Sequence, residues 1–229
     1  MQQHFLDKYA MTKELKLPKP VKAAWDQVTH LYENRNEVEA RSFIAKEIDQ
    51  HRDQEVIIGL ETIQQLLIAF RRHHQLLNPQ RIKPPPEYDI AFKLWLPIFD
   101  CIFTGDPLLA TRIVETVNEY TAAQKQSIYA HSKHPITGYK VDIRFLFVDR
   151  HGQQEIDVCA AEAARSSADD DKLIGDYSKL LREGKDNLDR LLGTVVEKDI
   201  ATKVKGLFIQ LSGAQGQLSS THLDDEAGV

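Results

Sequence analysis

Three consecutive prolines at residues 84–86 constrain the fold of this chain more than any other feature of its sequence. Proline has no backbone N–H and its ring clashes with the preceding turn, so this run cannot lie inside a helix and favours an extended segment. We therefore predict a domain boundary after residue 86. Residues 1–86 hold 13 basic and 11 acidic residues, whereas residues 87–229 hold 16 basic and 23 acidic residues. The first part is thus slightly basic and the second clearly acidic.

Residues 1–86 are predicted to form a helical extension. Apolar residues recur every three or four positions from Val21 onward, which is typical of one face of a helix. A second helix, rich in charge and exposed at the surface, is predicted at about residues 37–50. A third is predicted at about residues 53–77, with Asp53 as its N-cap.

A buried helix is predicted from residue 87 to about residue 103, because apolar residues form a dense face there. Pro97 lies inside this helix and is expected to kink or split it. Asp106 and Pro107 then suit the N-cap and the first position of a new helix. Residues 108–127 fit either one helix or a short helix followed by a strand.

From residue 141 the hydrophobic pattern changes from helical to strand-like. Residues 141–148 and 154–162 are predicted to pair as a hairpin across a turn at 149–152. A long amphipathic helix follows at about residues 172–192. A second hairpin is predicted to pair residues 204–211 with 217–223. This order of elements predicts an α+β fold with an N-terminal helical extension.

Composition excludes several classes of protein. A net charge of −5 excludes a strongly basic, histone-like nucleic-acid binder. Two cysteines cannot form a disulfide framework, and they favour an intracellular compartment, cytoplasmic or nuclear. The first residues hold no apolar core of a secretory signal, and no stretch of about 18 apolar residues exists. We therefore expect no association with a membrane.

Four acidic residues are candidates for a chemical site. Asp142 and Asp157 interrupt apolar strands, Glu162 ends the second strand, and Glu115 precedes the hairpin. A carboxylate in an apolar strand is costly unless it is exposed, paired or bound to a metal. Two carboxylates on neighbouring strand ends can hold Mg²⁺, which activates water and stabilises charge on a phosphoryl group. The alternative is a hairpin with one solvent-facing side, on which these acids form salt bridges.

Five successive runs of sequence resemble one family. They are EYDIAFKLWLPIFDCIF (87–103), RIVETVNEYTAAQKQ (112–126), GYKVDIRFLFVDRHGQQEIDVCAAEAAR (138–165), KLIGDYSKLLREGKDNLDRLL (172–192) and KGLFIQLSGAQGQLSSTHL (205–223). From about residue 87 to residue 229 the chain resembles fungal proteins of the PD-(D/E)XK nuclease-like superfamily. The resemblance implies a restriction-endonuclease-like core, which is a small mixed sheet flanked by helices. It also leads us to expect a family domain that continues beyond residue 229, of which this chain is a truncated member.

The superfamily uses an Asp on one strand, a (Glu/Asp)-x-Lys on the next and often a Glu from an earlier helix. The resemblance therefore assigns the strand acid to Asp142, the second acid to Glu162 and the helix acid to Glu115. Asp142 and Glu162 are the implied metal ligands. The family's lysine, which positions or deprotonates the attacking water and offsets transition-state charge, falls at Ala164.

Other cations are candidates for the missing charge. Arg165 follows Ala164, but a shift of one residue along a strand points to the other face. Arginine also stays protonated, so Arg165 can serve only as an electrostatic stabiliser. Lys172 and Lys179 on the following helix are further candidates, and Lys179 lies in the family-like phrase KLLREGKD.

Three functions remain open from the sequence. We favour a degenerate nuclease fold that acts as a binding module for DNA, RNA or a protein, because Ala164 and the acidic charge of residues 87–229 weigh against catalysis. The first alternative is a nuclease that hydrolyses DNA or RNA with Mg²⁺ or Mn²⁺, which are needed only if the chain is catalytic. The second is a scaffold that binds a protein partner through residues 1–86.

Overall fold

The computed structural model describes these parts of the chain: residues 17–76, 78, 83, 85–103, 108–131, 138–148, 155–165, 168–194, 201 and 204–223. The chain divides into two compact units, residues 1–67 and 68–229. The boundary after residue 86 stays a prediction. The turn at 149–152 and the capping pair Asp106 and Pro107 lie outside the described residues.

From residue 17 onward the first unit is built on three helices, and the third continues past the end of the unit. They are α1 (Lys19–Glu33), α2 (Glu37–Gln50) and α3 (Gln54–His73), with a 3₁₀ turn at His74–Leu76. The predicted N-cap at Asp53 is confirmed, because its Oδ1 accepts hydrogen bonds from the N–H groups of Glu55 (2.9 Å) and Val56 (3.3 Å).

The apolar stripes of these helices meet in one core. It contains Val21, Ala24, Val28, Ala40, Ile44, Val56, Leu60, Ile63 and Leu67. The prediction that α2 is a surface helix is therefore correct only for its charged side, because Ala40 and Ile44 are fully buried. A helix with few apolar residues still contributes to a core when they fall on one face.

The helix predicted after the prolines is interrupted just before Pro97, as expected from that proline. It consists of α4 (Glu87–Ile90), a π-helical segment (Ala91–Trp95) and α5 (Leu96–Phe103). Pro97 cannot donate to the preceding turn and its ring clashes with a regular helix, and the wider π-helical turn before it relieves that clash.

The second unit contains a five-stranded mixed sheet. Its strands are β1 (Leu109–Val117), β2 (Lys140–Val148), β3 (Glu155–Ala164), β4 (Lys205–Ser212) and β5 (Gln215–His222), in that spatial order. β3 and β4 are parallel, and the other neighbours are antiparallel. Besides α4 and α5, the described residues of this unit form α6 (Glu119–Ile128) and α7 (Asp170–Thr194), and α7 lies between the two parallel strands in the sequence. The predicted α+β class, with a mixed sheet and N-terminal helices, is confirmed.

The prediction for residues 108–127 is wrong in its order, because a strand comes first and a helix follows. The pairing of β1 with β2 shifts register between Ile113 and Thr116. Such a bulge inserts an extra residue and breaks the alternation of apolar and polar positions that identifies a strand. Glu115 therefore lies on a strand and not on a helix.

Both faces of the sheet are covered. The face toward residues 87–103 holds a core of Ala91, Phe99, Ile143, Phe145, Cys159, Ala161, Ala163 and Leu211. On the other side Leu180 of α7 packs with Val141, Ala160 and Phe208. No helix in the described parts of the chain is long and apolar enough to cross a membrane.

Candidate active site

Asp142 and Glu162 lie side by side on neighbouring strands. β2 and β3 are antiparallel with Ile143 opposite Ala161, so one further step places Asp142 opposite Glu162, with both side chains on one face. Asp142 Oδ2 accepts a hydrogen bond of 2.9 Å from the Ala163 N–H. Glu162 is only 2% exposed, which is inconsistent with a solvent-facing side of the hairpin.

Burial of this pair changes the acidity of both groups. Burial raises the pKa of the Asp142 carboxyl, although the Ala163 N–H and the nearby Lys179 oppose the rise. The pKa of Glu162 is raised to about 8, first by burial and then by the charge of Asp142, against the effect of Lys179. The two acids therefore interact as one site, in which full ionisation near neutral pH needs a cation.

Lys179 of α7 is the cation that reaches this pair. Its ammonium contacts Glu162 Oε1, and it lies about three-quarters buried. Ala164, at the position that the resemblance assigns to lysine, is buried and offers no charge. The structure thus brings together Asp142, Glu162 and Lys179 from three different elements.

Arg165 lies apart from the pair. It follows β3, its side chain is half exposed, and its Nε is 3.9 Å from Glu87 Oε1. Together with Lys83 and Tyr88, Arg165 and Glu87 line an open cleft of about 530 Å³. The charge of Arg165 is thus directed to Glu87 and not to the Asp142–Glu162 pair.

Asp176 is a member of the site that the sequence reasoning missed. It is buried on α7, and its two carboxylate oxygens lie 3.1 and 2.9 Å from Lys172 Nζ. It also acts electrostatically on both Asp142 and Glu162. The available signal was helical spacing, because residues 172, 176 and 179 recur at intervals of four and three on one helix face.

The other two candidate acids, Glu115 and Asp157, are not members of the Asp142–Glu162 pair. The backbone of Glu115 lies in the bulge beside Asp142, but its side chain is outside the described residues. Asp157 forms a structural ion pair, because Arg144 Nε and Nη2 donate to its two oxygens at 2.5 and 2.6 Å. Arg190 Nη1 adds a contact of 3.7 Å to the same carboxylate.

The donors present suit a hard cation held by few protein ligands. Asp142 Oδ1 has no hydrogen-bond or ion-pair partner among the described residues, and carboxylate oxygens are what Mg²⁺ and Mn²⁺ prefer. The part of the chain that the structure describes contains no group of three or more His, Cys, Asp or Glu residues able to hold a metal ion. A cation here depends on Asp142 and Glu162, with water or substrate oxygens as its remaining ligands.

No family model, curated protein or solved structure matches this chain. The arrangement of the site residues and their electrostatics are therefore the basis for the function proposed below.

Proposed function

We propose that this chain belongs to the PD-(D/E)XK nuclease-like superfamily and hydrolyses phosphodiester bonds of DNA or RNA with Mg²⁺ or Mn²⁺. One observation carries the proposal. Asp142 and Glu162 face each other across two strands, and Lys179 of α7 contacts Glu162 where the strand itself offers only Ala164. Two carboxylates and an ammonium are the groups that the resemblance requires, and Lys179 supplies the third from a different element.

The pairing of the two acids is costly once both are ionised, and the contact of Lys179 with Glu162 offsets only part of that cost. Like charges directly opposite each other on adjacent strands are destabilising, and burial increases the cost. A divalent cation held by Asp142 and Glu162 removes that cost. When bound, it would lower the pKa of a water molecule and neutralise charge on the phosphoryl oxygens.

Each side chain has a role that its position supports. The Ala163 N–H fixes the Asp142 carboxylate through Oδ2, and Oδ1 has no partner among the described residues. Glu162 holds Lys179 close to the pair. The Lys179 ammonium can orient an attacking water and offset negative charge on the reacting phosphate. Arg165, which lies beside Glu87, can act only as a fixed positive charge.

A second candidate function is a binding module without catalysis. It is favoured by the absence of a lysine at Ala164 and by the contact of Lys179 with Glu162 Oε1, an oxygen that a metal ligand needs free. Under this alternative the ammonium takes the place of the metal and the site is inert.

Cleavage assays separate the two candidates. The purified protein is incubated with labelled single- and double-stranded DNA and RNA in Mg²⁺, Mn²⁺ or EDTA. We expect cleavage in Mn²⁺ or Mg²⁺, none in EDTA, and loss of cleavage in Asp142→Asn. Asp171→Asn, an exposed acid in the first turn of α7, is the matched control and should cleave normally. Intact substrates under all conditions, or equal cleavage by Asp142→Asn, would exclude the nuclease.

A further inference from the structure

Two cations meet at one tyrosine beside the candidate active site. Lys125 of α6 places its Nζ 2.9 Å from the centre of the Tyr139 ring. Arg182 of α7 donates a 2.6 Å hydrogen bond from Nη1 to the Tyr139 hydroxyl, with its guanidinium carbon 5.7 Å from the ring centre. We call Lys125, Tyr139 and Arg182 the basic cluster.

Arg182 differs from every other basic residue on α7. Lys172 pairs with Asp176, Lys179 with Glu162, and Lys185 with Asp189. Arg190 contacts Asp157. These contacts neutralise each of those cations with a carboxylate on the protein.

No carboxylate of the described residues lies within ion-pair distance of Arg182 or of Lys125. Asp186 acts on Lys125 only at longer range. The positive charges of the basic cluster are therefore available to an external anion. This is unusual in residues 87–229, where acidic residues outnumber basic ones by seven.

The basic cluster is connected directly to the candidate active site. Arg182 lies three residues after Lys179 on α7, about one helical turn away. Tyr139 lies three residues before Asp142, immediately before β2 begins at Lys140. Both connections are short and rigid, so the cluster has a fixed position relative to the carboxylate pair.

We propose that the basic cluster binds a backbone phosphate of the nucleic acid next to the bond that is cleaved. This inference rests on the proposed function, since the anion is a phosphate of that same substrate. The guanidinium of Arg182 offers a planar pair of donors that matches phosphate oxygens. The Tyr139 hydroxyl holds that guanidinium in place, and Lys125 adds a second positive charge on the ring.

The test is binding measured without catalysis. A fluorescently labelled single-stranded oligonucleotide is titrated with full-length protein in EDTA at several salt concentrations, and its anisotropy is recorded. DNA and RNA probes of the same sequence, each also as a duplex, show which nucleic acid is preferred. Circular dichroism checks that every variant is folded.

Arg182→Ala should weaken binding about five- to tenfold on all sequences and reduce the salt slope by about 0.7 for a single strand, which is one lost phosphate contact. Arg182→Lys should restore the salt slope but only part of the affinity, because lysine keeps the charge and loses the planar donors. Lys185→Ala is the matched control, since it removes one exposed charge from the same helix. It should change affinity less than about twofold, because Asp189 already neutralises that charge.

The inference would be overturned if wild type and Arg182→Ala bound with equal affinity, or if wild type did not bind at all. It would also be overturned if Arg182→Ala and Lys185→Ala lost the same amount of affinity. These results are independent of cleavage. If the protein cleaves nucleic acid in Mn²⁺ and Arg182→Ala binds normally, the proposed nuclease activity stands and the proposed phosphate site at the basic cluster is rejected. Binding that depends on Arg182, without cleavage in any metal, retains the cluster and rejects the nuclease.

Discussion

The Lys179 ammonium on α7 contacts the Glu162 carboxylate on β3, whereas the residue two positions after Glu162 on the strand itself is the buried Ala164. This contact changes what Ala164 indicates about the site. Taken alone, Ala164 indicates a site that has lost its positive charge. In the folded protein the charge reaches the same carboxylate from the helix that packs on the strand.

The stability of the protein should fall as the pH rises toward 8. Burial raises the pKa of Glu162 to about 8 and that of Glu183 to about 7, so the folded protein binds protons that the unfolded chain has released. The contribution of these two carboxyl groups to the free energy of unfolding is complete below about pH 4.5. It is lost as the pH rises from there through 7–8, and the free energy of unfolding falls by up to about 1.4 kcal/mol per pH unit for each group. Urea unfolding across this pH range measures the slope.

Glu162→Gln should reduce this dependence, because glutamine cannot ionise. The variant should be more stable than wild type above about pH 8, where the native carboxylate is charged and buried. Glu119→Gln, at an exposed position of α6, is the control and should keep the wild-type slope. An unchanged slope in Glu162→Gln would contradict the burial of an ionisable group at this position.

Arg144→Ala should strongly destabilise the second unit. Arg144 and Asp157 are 11% and 2% exposed in their side chains and share two hydrogen bonds. Removing Arg144 leaves the buried Asp157 carboxylate with only the 3.7 Å contact to Arg190, and breaking a buried pair in this way costs up to about 3–5 kcal/mol. The comparison variant is Arg112→Ala, whose pair with Glu155 is exposed and is worth less than about 1 kcal/mol. Similar losses in the two variants, measured by chemical unfolding, would refute the difference in burial.

Gly206 should not tolerate alanine, because β4 and α7 approach each other closely there. A Cβ at Gly206 would lie 1.9 Å from the carbonyl oxygen of Gly184, and a backbone atom cannot rotate away. We expect Gly206→Ala to cost about 1–3 kcal/mol or more. Gly175→Ala, also on α7, meets nothing within 4 Å and should stabilise the helix by about 0.5–1 kcal/mol. The melting temperatures of the two variants should therefore move in opposite directions.

All the described helices except α6, and four of the strands, could be predicted because their apolar residues repeat regularly. The bounds predicted for α2 are those observed, and Asp53 and Pro97 act as local chemistry requires. β1 was missed because the bulge near Glu115 interrupts its alternation, and residues on either side of it then fall at helical spacing. The parallel pairing of β3 with β4 depends on the path of α7, which no local pattern specifies.

The candidate site was predictable in part for the same reason. Asp142 and Glu162 stand out in the sequence as acids in apolar strands. Their pairing depends on the register shift between Phe145 and Leu146, because without it Asp142 would lie opposite Ala161, and no local pattern specifies that bulge. Lys172 and Lys179 were both possible donors from the sequence, and the family-like phrase KLLREGKD favoured Lys179. Only the packing of α7 on the sheet directs Lys179 to Glu162 and Lys172 to Asp176.

The most direct test of the account is to move the lysine. Lys179→Ala should abolish cleavage of nucleic acid in Mn²⁺, and adding Ala164→Lys to that variant should restore cleavage, since residues 164 and 162 lie on the same face of β3. Ala164→Met in the Lys179→Ala background controls for side-chain volume and should stay inactive. Cleavage at the wild-type rate by Lys179→Ala, or no cleavage by the wild-type protein, would contradict the claim that Asp142, Glu162 and Lys179 form one catalytic site.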